Sequence, residues 1–247
     1  MQWSDDGLIL GVRRQGETSV VLELFTRAHG RHLGLVRGGR SRRLRPTLQP
    51  GNTVRATWRA RLDDHLGAFV VEPLESRAGR LMERADALHG VGHLAHLLRL
   101  VAERDPHEAL YDAAEIVADH LDDPAVAPAL VVRLELAVLA ELGFGLDLSS
   151  CAATGERDDL TYVSPKSGRA VGRAAGAPYA EKLFALPPFL VGSGANASPT
   201  GDDVAAAFAL TGHFLAARVW EPRGIKPPDS RAAYLALVAR RGTSSSA

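Results

Sequence analysis

Thr53-Val-Arg-Ala-Thr-Trp-Arg-Ala-Arg-Leu62 alternates without a break. Val54, Ala56, Trp58, Ala60 and Leu62 fall on one side of an extended chain, and Arg55, Thr57, Arg59 and Arg61 on the other. A period of two marks a strand with one packed face and one face open to solvent or ligand. The spacing therefore predicts an inward Trp58, serving as core rather than as a base-stacking platform, and an outward row of cations. Alternate residues on a strand lie about 6.6 Å apart, close to the phosphate spacing of an extended single strand of nucleic acid.

Upstream of this strand runs Arg37-Gly-Gly-Arg-Ser-Arg-Arg-Leu-Arg45, with five arginines in nine residues and no acid. Two glycines and a serine oppose a helix, and the stretch reads as a mobile loop between strands. Guanidinium groups keep their charge and fork onto phosphate oxygens. Arg37, Arg40, Arg42, Arg43 and Arg45 of the loop, with Arg55, Arg59 and Arg61 of the strand, make one continuous basic track and the expected DNA-binding set.

Four more short strands surround it, at about Gly7–Arg13, Thr18–Thr26, His32–Arg37 and Ala68–Leu74. Gly30, in the turn Ala28-His-Gly-Arg31, can supply the positive φ of a tight hairpin, and Gln49-Pro-Gly-Asn52 is a second turn signal. Five short strands in some 75 residues suit a small closed barrel of the oligonucleotide-binding (OB) type.

Charge divides the chain. Residues 1–80 hold 14 arginines against 8 carboxylates, residues 81–150 hold 4 basic against 13 acidic groups, and residues 151–247 hold 11 against 8, so a net charge of zero hides a basic front and an acidic middle. The single cysteine, Cys151, excludes an internal disulfide and fits a reducing cytoplasm. The acidic N-terminus lacks a signal-peptide pattern. The most apolar run, Ala129–Leu142, is interrupted by Arg133, Glu135 and Glu141, so no membrane span is expected.

From about residue 79 the period becomes helical. Helices are expected over about Ala85–Glu103, Pro106–Leu121 and Pro128–Leu142, the last closed by Gly143. His89, His93 and His96 lie on one helical side, a spacing that holds metals, but no carboxylate stands at a matching step. Arg133 sits among apolar neighbours, either paired with Glu135 or Asp119 or open to a carboxylate from a partner. Cys151-Ala-Ala-Thr-Gly155 looks like half of a zinc knuckle, with Gly172 and Ala175 where a second pair of thiolates would fall. One thiolate cannot close a tetrahedral zinc site, so neither metal nor cofactor is expected. Gly192–Pro199 reads as a linker, Asp202–Trp220 and Ser230–Val238 as helices, and Thr243–Ala247 as a disordered tail.

The expected architecture is α+β. An OB-fold barrel over 1–78 precedes an all-α domain over 79–247 with a degenerate, metal-free knuckle over 149–178. Tyr162 and Lys166 have a dehydrogenase spacing, but Pro165 breaks the helix that chemistry needs. Neither a phosphate-binding glycine loop nor a nucleophile elbow occurs, and no enzyme is expected.

Together these features resemble the RecO family of bacterial recombination mediators. The marks are Gly7-Leu-Ile-Leu, Gly16-Glu-Thr, Leu24-Phe-Thr26 with Gly30, the Arg-Gly-Gly-Arg loop, Arg133-Leu-Glu-Leu-Ala followed by Leu142-Gly-Phe-Gly, the turn at Cys151, and Gly224-Ile-Lys with Ser230-Arg231. The resemblance implies binding to single- and double-stranded DNA, annealing of complementary strands, and work with RecR and, in many members, RecF. It also implies help to RecA in displacing single-strand-binding protein, in the bacterial cytoplasm at the nucleoid. It gives Arg133, Lys226 and Arg231 a role as receptors for the acidic tail of single-strand-binding protein. The rival expectation is a scaffold whose basic barrel binds acidic proteins and never meets DNA.

Overall fold

A computed structural model describes residues 1–62, 64–191 and 198–244. The chain forms two compact units, Met1–Pro124 and Ala125–Ala247. The first opens with β1 (Gln2–Gln15), β2 (Ser19–Thr26), β3 (Gly30–Val36), β4 (Thr53–Arg59) and β5 (Ala68–Glu75). They close into a barrel in the order β1-β2-β3-β5-β4, with β4 returning to β1. All pairings are antiparallel except β3 with β5, which meet in parallel at Leu35 and Ala68. A five-stranded Greek-key barrel of this kind is the OB-fold.

The alternation of β4 governs the barrel interior. Val54, Ala56 and Trp58 are fully buried in a core with Ile9, Val20, Leu22, Leu24, Val36 and Phe69. The indole N–H of Trp58 donates to the Leu66 carbonyl at 3.0 Å and so pins the β4–β5 connection. The alternation does not persist to Leu62, however. Strand β4 ends at Arg59, and Leu62 is 53% exposed.

Strand β1 departs from alternation, since Leu8, Ile9 and Leu10 are all buried. A bulge between Ile9 and Gly11 shifts the register there. Ile9 faces the barrel core, and the outer side of the barrel is covered by α1 (Ala78–Met82), α2 (Ala85–Leu98) and α3 (Glu108–His120). Phe25 of β2 stacks on Tyr111 of α3 at 6.3 Å. Buried Glu23 accepts from Arg99 at 2.7 Å and from Arg31 at 3.2 Å. Arg77, buried at the start of α1, is held by Glu115 and Asp119. This compact unit runs to Pro124, with Arg99 bonded to Glu23 of β2 and Glu115 of α3 bonded to Thr53 of β4.

The second unit contains α4 (Ala127–Glu141), β6 (Leu160–Val163), β7 (Ala170–Gly172), the single turn α5 (Arg173–Gly176), β8 (Phe184–Ala185), α6 (Gly201–Phe214) and α7 (Asp229–Ser244). A capping box of Thr200 and Asp203 starts α6, and Leu215–Trp220 continues it as a wide π-helical turn. This unit is not all helical: the segment 149–178, expected as a degenerate knuckle, contains β6 and β7 of a three-stranded sheet of order β7-β6-β8. The turn through Ser164–Gly168, with Gly168 at φ +69°, folds β7 back on β6. Cys151 is buried beside it, and its Sγ accepts the Gly172 N–H at 3.2 Å, which brings the thiol down to about 7. Among the described residues no three His, Cys, Asp or Glu side chains are grouped to hold a metal, and no helix is long and apolar enough to cross a membrane. Of the expected linker, residues 192–197 lie outside the described residues. So do 245–247 of the expected tail, whose Thr243 and Ser244 belong to α7.

Candidate nucleic-acid interface

The arginine loop is a hydrogen-bonded succession of turns, not the free loop expected. Gly39 N–H donates to Val36, Arg40 N–H to Thr18, Ser41 N–H to Gly38, Arg45 N–H to Ser41 and Leu48 N–H to Leu44, all at 2.9–3.3 Å. Leu44 and Leu48, one helical turn apart, pack into the barrel core and act as its keel. Gly39 is buried against Val20 and Leu48, where a Cβ would stand 2.6 Å from the Val20 methyl. Buried Asn52 closes the far end, donating to the Pro46 and Thr47 carbonyls and accepting the N–H groups of Arg77 and Ala78. With its leucines turned inward, the loop presents its arginines outward.

Arg37 and Arg43 of the loop and Arg59 and Arg61 at the end of β4 line one cleft of about 590 Å³. Its floor is Val36, Leu44, Ala60 and the β5 residues Ala68–Val71. All four arginines are exposed, and among the described residues no ion pair engages them. Val70, on the same wall, is 61% exposed. Guanidiniums with no carboxylate partner among the described residues, around a partly apolar floor, offer charge to phosphates and apolar surface to sugars or bases. Here β5 meets β3 at a single pair, so the wall next to the loop is an open strand edge.

The other expected DNA-binding residues are placed differently. Arg55 is ion-paired to Asp6, its cross-strand neighbour on β1, and faces Glu72 of β5 in register, so the flanking strands neutralise it. Those carboxylates raise its pKa further. Arg40 donates to the Gly16 and Glu17 carbonyls of the β1–β2 turn. Arg42 and Arg45 are exposed on the side of the loop away from Arg37 and Arg43. Arg45 and Arg40 border a second cleft, of about 410 Å³, together with Arg14 at the end of β1.

The three cations expected to receive an acidic tail each have partners within the second unit. Arg231 is ion-paired to Glu135, with Nε–Oε1 at 2.7 Å, and also donates to the Phe208 carbonyl at 2.9 Å. Arg133 is exposed and donates to the Phe189 carbonyl at 3.1 Å, and the carboxylate of Glu135 accepts from Arg231. Asp119, the other acid expected to pair with Arg133, holds Arg77. Lys226 is exposed and pairs with Asp229 at 3.0 Å. Of the three histidines, His93 is fully buried and His89 and His96 half-buried, and burial, with His93 and Arg99 nearby, holds His96 below the usual imidazole range.

Two family profiles match the chain. Residues 1–77 match the N-terminal part of recombination protein O and residues 82–224 the C-terminal part. The chain belongs to the recombination protein O family. Relatives named DNA repair protein RecO include that of Methylobacterium nodulans, 65% identical over 240 residues spanning 96% of this chain and 98% of the relative. That of Rhizobium etli is 60% identical over 235 residues, 95% and 91% of the two chains, and that of Sinorhizobium medicae 58% over 249 residues, 100% and 99%.

In this recombination protein O family member, sequence reasoning passed over three contributors to the interface. Arg14 was visible only as half of an Arg-Arg pair at a strand end, without a pattern to say which cleft it borders. Asn52 carried a signal as a turn residue, but its role as the clasp of the loop depends on Arg77 and Ala78, 25 and 26 residues on. Val70 had no signal, since an apolar residue in a short strand reads as core.

Proposed function

We propose that this protein binds DNA through the arginine cleft, without regard to sequence, and speeds the pairing of complementary strands. The convergence of Arg37, Arg43, Arg59 and Arg61 on one open cleft, with no carboxylate paired to them among the described residues, carries the proposal. Family membership and the relatives named as DNA repair proteins support it. Guanidiniums that neutralise phosphates on two strands lower their repulsion and let bases meet, and no covalent bond changes. Contacts to phosphate carry no base readout, so affinity depends on salt far more than on sequence. In the cytoplasm the same activity, together with RecR and RecF, would serve DNA repair and recombination by helping RecA onto strands covered by single-strand-binding protein.

The acidic tail of that protein is proposed to dock at Arg133 and Lys226, two of the exposed cations of the second unit, while Arg231 supports the fold. Arg133→Ala is expected to weaken a tail peptide about tenfold, the worth of one charge-assisted hydrogen bond. The deciding experiment mixes complementary oligonucleotides with and without protein across a salt series. Faster annealing that fades with salt supports the proposal. Binding to acidic peptides with neither oligonucleotide binding nor annealing would replace it with a scaffold role.

A further inference from the structure

The arginine loop does not extend one basic track; it divides two. It crosses the barrel end between the β1–β2 hairpin and the β4–β5 hairpin. On the β4–β5 side lies the cleft of Arg37, Arg43, Arg59 and Arg61. On the β1–β2 side lies the cleft of Arg14, Arg40 and Arg45. The partition is solid. Leu44 lines the first cleft and Leu48 the second, and both are rooted in the barrel core. Gly39 is packed so closely under the loop that a side chain there would collide with Val20. Arg40, bonded to the Gly16 and Glu17 carbonyls, ties the loop to the β1–β2 turn and fixes its height between the two clefts.

We infer that one chain holds two single strands of nucleic acid at once, one on each flank of the loop. This rests on the DNA-binding function proposed above and adds how two strands are kept apart yet close. Each flank has three or four cations, enough for a short backbone segment. The wall between them is a single loop, so the strands lie side by side on one barrel end. Side-by-side neutralised strands are in the geometry that base pairing needs, and the wall prevents both from collapsing into one groove. A single continuous groove would instead bind one strand and compete away the second.

The test uses the full chain and oligonucleotides of about ten nucleotides, within the site size of one OB-fold. Stoichiometry is measured at protein concentrations well above the dissociation constant, and annealing of complementary strands in parallel. The wild type is expected to take up two strands per chain. Arg59→Gln/Arg61→Gln and Arg14→Gln/Arg45→Gln are each expected to take up one, to keep single-strand binding, and to anneal at least tenfold more slowly. All four side chains are exposed, so these variants fold, and circular dichroism checks that they do. Saturation of the wild type at one strand, or loss of all binding on removing either flank alone, overturns the two-flank inference while leaving DNA binding in place. If neither variant changes strand binding or annealing, the arginine clefts are not the binding surface and the site proposed above falls as well, whereas a wild type that binds no strand removes the function itself.

Discussion

Replacing Arg231 by alanine should destabilise the second unit far more than an arginine on a helix surface would ordinarily allow. Glu135 of α4 is fully buried. Its two oxygens accept from Arg231 Nε at 2.7 Å and Nη2 at 3.2 Å, and the Thr211 hydroxyl donates to the same carboxylate. The side chain of Arg231 is itself only 12% exposed, and its guanidinium lies 5.7 Å over the Phe208 ring. Removing the cation breaks a buried ion pair and strands the carboxylate in the core, a change that costs about 3–5 kcal/mol. For a unit of this size the midpoint of thermal unfolding should fall by roughly 10–20 °C. Urea unfolding of the full chain, read on the transition of the second unit, measures the loss. The double variant Arg231→Met/Glu135→Leu removes both charges and should recover most of it, because the penalty lies in the stranded carboxylate and not in the absent pair. A loss below about 1 kcal/mol in Arg231→Ala would refute the reasoning and return Arg231 to the surface as a free cation.

Gly30 has φ +65°, and a Cβ there would stand 2.0 Å from the Asp105 carbonyl oxygen. Gly30→Ala should therefore destabilise the first unit by more than about 2 kcal/mol in urea titrations, whereas Gly16→Ala, with a similar φ but open space, should cost about 1 kcal/mol. Acid stability should depend on Glu23. Burial alone would raise its pKa, but Arg99 and Arg31 outweigh burial and hold it below 4.5. Its stabilisation is present above pH 4.5 and is lost as pH falls through the lower folded value, so Glu23→Gln should flatten the pH–stability curve in that window. His96 acts in a higher window. Burial lowers its pKa beneath 6.5 in the folded chain while the unfolded chain takes up a proton at the ordinary value, so stability should begin to fall below pH 6.5, and His96→Gln should remove that part of the decline.

The barrel was legible because its signals are local. Alternation in Thr53–Arg59, the β-rich run at Val20–Phe25 and the glycine turn at Gly30 each specify strand or turn within a few residues. The end of β4 was not legible, because Ala60–Leu62 keeps the alternation in sequence past Arg59, the last residue of the strand. The small sheet of the second unit was hidden for another reason. Its strands run two to four residues, too short for a period to show, and the Cys151 turn pointed to missing thiolates instead of to the hairpin at Ser164–Gly168. At the interface the sequence marked cations but not their pairing. Asp6 lies 49 residues from Arg55, and Glu135 lies 96 from Arg231, so only the fold says that these two are neutralised. The same folding divided a run of arginines that reads as one stripe into two flanks of a loop.

In the function proposed above, the cleft of Arg37, Arg43, Arg59 and Arg61 grips the phosphate backbone. The most direct measurement is the slope of log affinity against log salt for a single-stranded oligonucleotide. In an Arg14→Gln/Arg45→Gln background, which leaves this cleft as the binding flank, changing all four to glutamine should flatten that slope by about 2.8, at roughly 0.7 for each phosphate no longer neutralised, while Arg55→Gln, already neutralised by Asp6, should leave it unchanged. An unaltered slope in the fourfold variant, or a flattening in Arg55→Gln as large as that for any one cleft arginine, would mean that the cleft does not hold the backbone.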